Sequence, residues 1–375
     1  MEILMHTLHT HIHVDFTYIQ KVIQDLQHST LPLIMLGAGD RGYTAWRFLG
    51  QNSITPVSIT INKHYWQANA TLKNTDIALS VFEDEIQKYE KCNVITGFSF
   101  TQIPEDSLQS YSQIEHLYYI NVGVYDNYLY NPTFYNSNYD SLNWLFNRVA
   151  DQESRDVLVA HLNGRIAGKH VDYPLVPRNK AQYFFEDIMD WQSHEVLVDA
   201  GAYDGDTVVE LLTKMTESVT STSVYCFEPD DVNIQKIQAN TFINNHPKNQ
   251  LHIVPLGVWN EQKTLKFSNV GGEQGNISDT GNISIDVDSI DNFFADNPER
   301  ITIIKMDIEG SELQALIGAS NRISQDKPLL AICVYHKLED LIAIPQLIHN
   351  LVPEYHFYLR PHISTPTELV LFCKL

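Results

Sequence analysis

Short apolar runs recur along this chain, and most lead into a glycine- or charge-bearing turn followed by apolar positions three and four residues apart. Repeated in that order, buried-strand and amphipathic-helix patterns predict an α/β protein built on parallel sheets. In the first part, residues 15–27 carry Phe16, Ile19, Val22, Ile23 and Leu26 at helical spacing, and residues 33–36 are a four-residue apolar strand. Further strands are expected at 57–61, 92–97 and 117–120. Residues 139–160, with Leu142, Leu145, Phe146, Val149, Val157 and Leu158, read as one long helix. In the second part, strands are expected at 196–198, 223–227, 251–259, 301–307 and 329–335. Two more, at 355–360 and 368–375, lie close enough to pair as an antiparallel edge hairpin. Short insertion strands are expected at 264–267 and 283–287, turns near 163–164 and 172–177, and a loop in the glycine- and asparagine-rich tract 271–282.

Length adds a division. At 375 residues the chain exceeds one small core. Its pattern divides at a tyrosine- and asparagine-rich region, giving an N-terminal domain over 1–126, a helical and loop connector over 127–192, and a second domain over 193–375. The composition, 43% hydrophobic and 19% charged, is that of a folded globular chain. A formal net charge of −21 repels phosphate backbones and anionic surfaces, which argues against nucleic acid as a partner. No apolar run is long enough for a membrane span, and the first residues lack the basic and apolar regions of a secretory signal. Four scattered cysteines without a CxxC pair read as reduced core residues, so the expected location is cytoplasmic.

Chemistry concentrates where strands end. Residues 37–42, GAGDRG, match the GxGxxG pattern between a strand and a helix, so the first domain reads as small and Rossmann-like. The following strand ends at Asn62, where a dinucleotide site carries an acid, and this weakens a nucleotide reading of that loop. Near the N-terminus His9, His11 and His13 alternate and would share one face of a strand. No carboxylate or cysteine accompanies them, so a polar edge face or a loose arm is preferred to a metal site.

The stretch 196–207, VLVDAGAYDGDT, organises the second half. It is a strand, a glycine turn and a helix start, and Glu228 stands at the tip of the next strand, 29 residues after Asp199. Such a turn admits a ligand close to the backbone, and such an acid can accept both hydroxyls of a ribose. The strand at 301–307 ends in Lys305, Asp307, Glu309 and Glu312, which is costly unless these groups are paired or bind something. The next strand ends at His336.

Together, DAGAYDGDT, VYCFEPDDVNIQKIQAN, VDSIDNFF and IKMDIEGSELQALIGA resemble the FkbM family of S-adenosylmethionine-dependent methyltransferases, over about residues 196–375. The resemblance implies a doubly wound, seven-stranded class I methyltransferase fold with an antiparallel edge hairpin. It implies O-methyl transfer from S-adenosylmethionine to a hydroxyl of a sugar, glycan or natural product. Asp199, Gly201, Ala202 and Gly205 would then face the cofactor's methionine part, with Tyr203, Thr207, Pro229 and Asp307 also in the cofactor site. Glu228 would face its ribose and Asp307 and Glu309 would border the transfer site; Gly257 and Val258 lie at a strand exit of the kind that borders the adenine in many nucleoside sites. Two positions depart from the family pattern: Ala200 and Tyr203 stand in the turn, and Val334-Tyr335-His336 stands where a carboxylate is common. His336 as a neutral imidazole base, with Asp307 and Glu309 beside it, is the expected catalytic set. A divalent ion on the carboxylates is possible chemistry, but no ligand spacing specifies one. The rival functions are an NAD-linked enzyme using the GAGDRG loop and a non-catalytic sugar-binding scaffold. The expected partner is a small-molecule or glycan substrate, with a homo-oligomer also open.

Overall fold

The computed structural model describes residues 7–96, 105–122, 129–168, 181–268, 276–277, 281, 283–362 and 368–375. It divides into two compact units: Met1–Asn143, Asp156–Leu175 and Ser364–Thr367 form one, and Trp144–Arg155, Val176–Ile363 and Glu368–Leu375 form the other. Among the described residues no helix is long and apolar enough to cross a membrane.

The first unit holds five parallel strands in the order β3-β2-β1-β4-β5. These are β1 (Leu33–Leu36), β2 (Ser58–Ile61), β3 (Ser80–Val81), β4 (Cys92–Thr96) and β5 (Ile114–Tyr119). Strand β1 is buried along its whole length, as a central parallel strand must be. The helix Asp40–Gln51 follows it and packs Ala45 and Leu49 into the core. The preceding helix runs Tyr18–His28, later than its apolar pattern begins, because Asp15 caps a turn through the Thr17 N–H at 2.8 Å. The histidine region is not a strand. Leu8–His11 is a 3-10 turn, with three residues per turn, so His9 and His11 do not share a face.

The second unit is a seven-stranded sheet in the order β15-β16-β14-β13-β6-β7-β8. Its strands are β6 (His194–Ala200), β7 (Ser221–Phe227), β8 (Asn249–Val254), β13 (Ile303–Met306), β14 (Leu329–Cys333), β15 (His356–Pro361) and β16 (Leu369–Lys374). Strand β16 alone runs antiparallel to its neighbours, closing the edge hairpin with β15. This is the doubly wound arrangement expected from the second-half pattern. Its order reverses between β6 and β13, so the ligand crevice of such a sheet opens at their carboxyl ends.

A smaller sheet, β11-β10-β12-β9, comprises β9 (Gly257–Val258), β10 (Lys263–Ser268), β11 (Asn276–Ile277) and β12 (Ile283–Asp288). Residues 251–259, read as one strand and its exit, therefore divide between two sheets: β8 ends at Val254, and Gly257–Val258 pairs with β12. The turn expected at 172–177, Gly97, and the 271–282 tract apart from Asn276, Ile277 and Gly281 lie outside the described residues.

The pattern at 139–160 is two helices, Tyr139–Arg148 and Gln152–Ala167, rather than one. Three residues cause the break. Val149 bridges to Phe357, the Ala150 N–H donates to the Phe357 carbonyl at 2.8 Å, and the Asp151 carboxylate caps the second helix by accepting the Ser154 N–H at 2.8 Å.

Candidate functional site

The register sets the site. Ala200, Phe227 and Met306 lie level at the ends of β6, β7 and β13, so Gly201, Glu228 and Asp307 emerge together one residue later. The Gly201 and Ala202 N–H groups both donate to the Phe227 carbonyl, at 3.0 and 3.2 Å, which ties the turn to β7. Gly201, Tyr203 and Gly205 all have left-handed backbones, with φ of +80°, +48° and +89°. A non-glycine residue in that region is strained, and such strain concentrates where function over-determines the backbone. The turn delivers Thr207, buried, into the first turn of the helix Asp206–Lys214.

Two expected roles change with the geometry. Gly201 was expected to be glycine so that a ligand could approach. A Cβ there would instead stand 2.1 Å from the Asp307 carbonyl, so packing against the end of β13 already requires glycine. Asp199 was expected to face the cofactor. It is wholly buried in the sheet, 3.0 Å from Lys305 Nζ, and the same ammonium donates to the Gly201 carbonyl at 2.8 Å. Burial raises the Asp199 carboxyl to about 6 against the pull of Lys305. Asp199 therefore braces the turn from below. One of its oxygens, Oδ2, has no hydrogen-bond partner among the described residues.

Glu228 is held at the tip of β7 by two backbone donors, the Tyr203 N–H on Oε2 and the Asp230 N–H on Oε1, each at 2.9 Å. Each oxygen keeps a further lone pair, so the fixed carboxylate can still accept two ligand hydroxyls. Burial raises its pKa above the ordinary value. Pro229 follows Glu228, and its ring lies 3.9 Å from where a Gly257 Cβ would be, so Glu228–Pro229 and Gly257–Val258 border one region.

The other wall is a charge cluster at the ends of β13 and β14. Asp307 lies 3.4 Å from His336 Nε2, Glu309 lies 3.7 Å from the same nitrogen, and Glu312 lies 2.9 Å from His336 Nδ1. Burial alone would lower the imidazole pKa, but Glu312, Asp307 and Glu309 outweigh it and raise it to about 10. Three converging carboxylates thus favour the protonated ring. This speaks against the neutral-base expectation, since a protonated ring has no lone pair for a hydroxyl proton. Burial pushes Asp307 up, yet His336 and Lys305 together hold it below the ordinary carboxylate value.

Sequence reasoning missed two tyrosines. The Tyr183 hydroxyl donates to Asp307 Oδ2 at 2.9 Å, and the Tyr335 hydroxyl donates to Oδ1 at 3.3 Å. Tyr183 is placed by Glu210, whose Oε1 accepts the N–H groups of Gln182, Tyr183 and Phe184 at 2.9–3.2 Å. Beside this segment is a cavity of about 230 Å³ lined by Gln182, Asp206, Thr207, Glu210, Lys214 and His362. Tyr183 carried no sequence signal, because it lies in a stretch without strand or helix period.

In the first unit, GAGDRG forms a tight turn. Gly37 has φ +118°, and a Cβ on Gly42 would lie 2.4 Å from the Gly37 carbonyl oxygen. Asp40, in the first helical turn, pairs with Lys73 at 2.5 Å and so places a carboxylate where a dinucleotide phosphate would approach. Asn62 Nδ2 lies 3.5 Å from Glu83, whose other oxygen accepts the Lys63 N–H at 2.8 Å. The acid absent from the β2 tip is thus supplied from further along the chain, but it is engaged by the chain itself.

Residues 199–359 match the family model of the Methyltransferase FkbM domain. Over nearly the whole chain the fold is similar to that of Methyltransferase FkbM from Methylobacillus flagellatus KT. The TM-score is 0.72 and the identity 22%, with coverage of 97% of this chain and 94% of that one. A spermidine synthase from Thermotoga maritima gives a TM-score of 0.27 at 12% identity, covering 48% of this chain and 52% of its own. No curated protein matches the chain.

Proposed function

We propose, from the premise that residues 199–359 form a Methyltransferase FkbM domain and the protein is a methyltransferase, that it transfers a methyl group from S-adenosylmethionine to a hydroxyl of a sugar, glycan or natural product. One observation carries this reading: Glu228 is fixed by two backbone donors at the tip of β7, level with a left-handed turn at the sheet's switch point. The residues fit the cofactor. Glu228 offers acceptors for the two ribose hydroxyls, and the turn 201–205 with Thr207 borders the methionine part. The surrounding charge of Glu228, Asp307 and Glu309 suits a ligand bearing a sulfonium and an ammonium.

The cofactor supplies an already activated methyl, so the protein has to hold a hydroxyl in line with it and accept its proton. Asp307 is a poor base, because it already accepts two tyrosine hydroxyls and its carboxyl is held low. It orients the acceptor. Glu309 is assigned the proton. His336 keeps both carboxylates in place as their shared counter-charge, and Tyr183 fixes the Asp307 rotamer.

Calorimetric titration with S-adenosylmethionine tests the reading. Glu228→Gln keeps the shape but gives up a charged acceptor, so it should weaken binding by about 1.5–3 kcal/mol, roughly ten- to a hundredfold. Equal affinity in a folded Glu228→Gln variant removes the ribose assignment, and no binding to the native protein removes the methyl-transfer reading. The acceptor class is tested by S-adenosylhomocysteine release across a panel of glycosides and polyols.

The engaged state of Asp40 and Glu83 argues against an NAD-linked enzyme. A Cβ on Gly39 meets nothing within 4 Å, so Gly39→Ala should leave the fold intact while intruding on any ligand of that loop. Unchanged melting and unchanged methyl transfer are expected; a folded but inactive variant would show that the first unit holds a required ligand.

A further inference from the structure

We propose that Asp307, Glu312 and His336 form a binding site for a divalent transition-metal cation at the end of β13 and β14, beside the acceptor hydroxyl. Its role rests on the methyl-transfer reading, but binding itself does not.

The donor set comes first. Each of these residues offers a ligand atom within 4.8 Å of the others. In a tetrahedral site with bonds of about 2.0–2.2 Å, ligand atoms stand roughly 3.4 Å apart, so the three side chains would have to close around an ion by on the order of 1 Å. Glu312 and His336 are enclosed, with side chains 0% and 1% exposed, whereas Asp307 is 23% exposed toward the crevice. That pattern, closed on one side and open on the other, is how a catalytic metal keeps a coordination position for substrate.

A second observation points the same way. Glu312 Oε2 is buried without a hydrogen-bond partner among the described residues. A buried carboxylate oxygen in that state is costly and calls for a ligand or a water. The charge is also in excess. Asp340, also buried, adds a fourth carboxyl to Asp307, Glu309 and Glu312. Against them stand the His336 imidazole and the nearby ammonium of Lys305, which is also paired with Asp199 at 3.0 Å. A cation ligates His336 only in place of a ring proton, which leaves to solvent on binding.

One imidazole and two carboxylates suit manganese, iron, cobalt or zinc, whereas calcium and magnesium prefer oxygen-only sets. A cation there would lower the pKa of a coordinated hydroxyl and so ease its deprotonation by Glu309.

The test uses the full chain, freed of metal by a chelator and then titrated with Mn²⁺ under electron paramagnetic resonance and with Zn²⁺ by equilibrium dialysis. Mg²⁺ serves as a competitor. One bound Mn²⁺ or Zn²⁺ per chain is expected, with little competition from Mg²⁺. Glu312→Gln and His336→Gln should each lower affinity by roughly tenfold or more. Asp307→Asn, at the most exposed of the three positions, decides the matter if either buried variant fails to fold. No uptake by the native chain at millimolar ion, or equal uptake by a folded Asp307→Asn variant, overturns the site. S-Adenosylmethionine calorimetry on the same sample keeps the two ideas apart: Mn²⁺ binding without cofactor binding sinks the methyl-transfer reading alone, and the converse sinks the metal site alone.

Discussion

Lys305→Met is expected to destabilise the second unit by about 3–5 kcal/mol, read as a fall in the midpoint of urea unfolding. Lys305 and Asp199 face each other in register on β13 and β6, both enclosed by the sheet, and their contact is 3.0 Å. Methionine matches the stem of lysine but leaves Asp199 charged and alone, and removing one partner of a buried pair is the costly case. The ammonium also holds the Gly201 carbonyl, so the turn loses a tie. The loss has a definite pH sign. Even with Lys305 present the folded Asp199 pKa is raised to about 6. A carboxyl whose folded value lies above its unfolded value favours the folded state when protonated, and stability falls as pH rises between the two. Without the lysine that interval widens, so the deficit of Lys305→Met should shrink toward pH 4 and grow toward neutrality. Adding Asp199→Asn to Lys305→Met should recover much of the loss, because it removes the orphan charge. A variant that unfolds at the native midpoint at pH 7 would show that the pair carries no such weight.

The strands and their ends were legible in the sequence, and the contacts made across them were not. Strand β1 coincides with its apolar run because a fully buried parallel strand needs no partner to declare itself. The charged ends of β13 and β14 were legible for the opposite reason: four charges closing an apolar run demand an explanation. What each charge does depends on neighbours far along the chain. Asp199 looked like a cofactor contact until Lys305, 106 residues later, was found beside it. His336 looked like a neutral base because an isolated imidazole titrates near neutrality, and the three converging carboxylates that favour its protonated form are not visible in its own segment. The helix break at 149–151 is set by Phe357 and Ser154, and nothing in its own spacing announces it. Tyr183 stands on Asp307 because Glu210 gathers three backbone donors, and that arrangement leaves no periodic trace.

Glu309→Gln is expected to lower kcat by roughly a hundredfold or more, with S-adenosylmethionine affinity unchanged. Once an acceptor is found, the measurement is the rate of S-adenosylhomocysteine release at saturating acceptor. The motive is local geometry. Glu309 has φ +53° and Gly310 has φ +90°, so two successive left-handed residues lead the chain from β13 into the helix Glu312–Ile317. A Cβ on Gly310 would approach Lys337 Cε to 2.9 Å, so the glycine belongs at the second position. Glutamate at the first has no such steric reason, and a left-handed non-glycine residue costs on the order of 1–3 kcal/mol. Such strain clusters at functional sites, and Glu309 also lies 3.7 Å from His336, so its side chain is the one to test. Glu309→Gly separates use from packing. It removes the carboxylate while relieving the backbone, so the variant should be at least as stable as the native protein and yet inactive. A structural role predicts the opposite pairing, lost stability with surviving turnover. If Glu309→Gln and Glu309→Gly both turn over at the native rate, the proton goes elsewhere and Asp307 becomes the group to test.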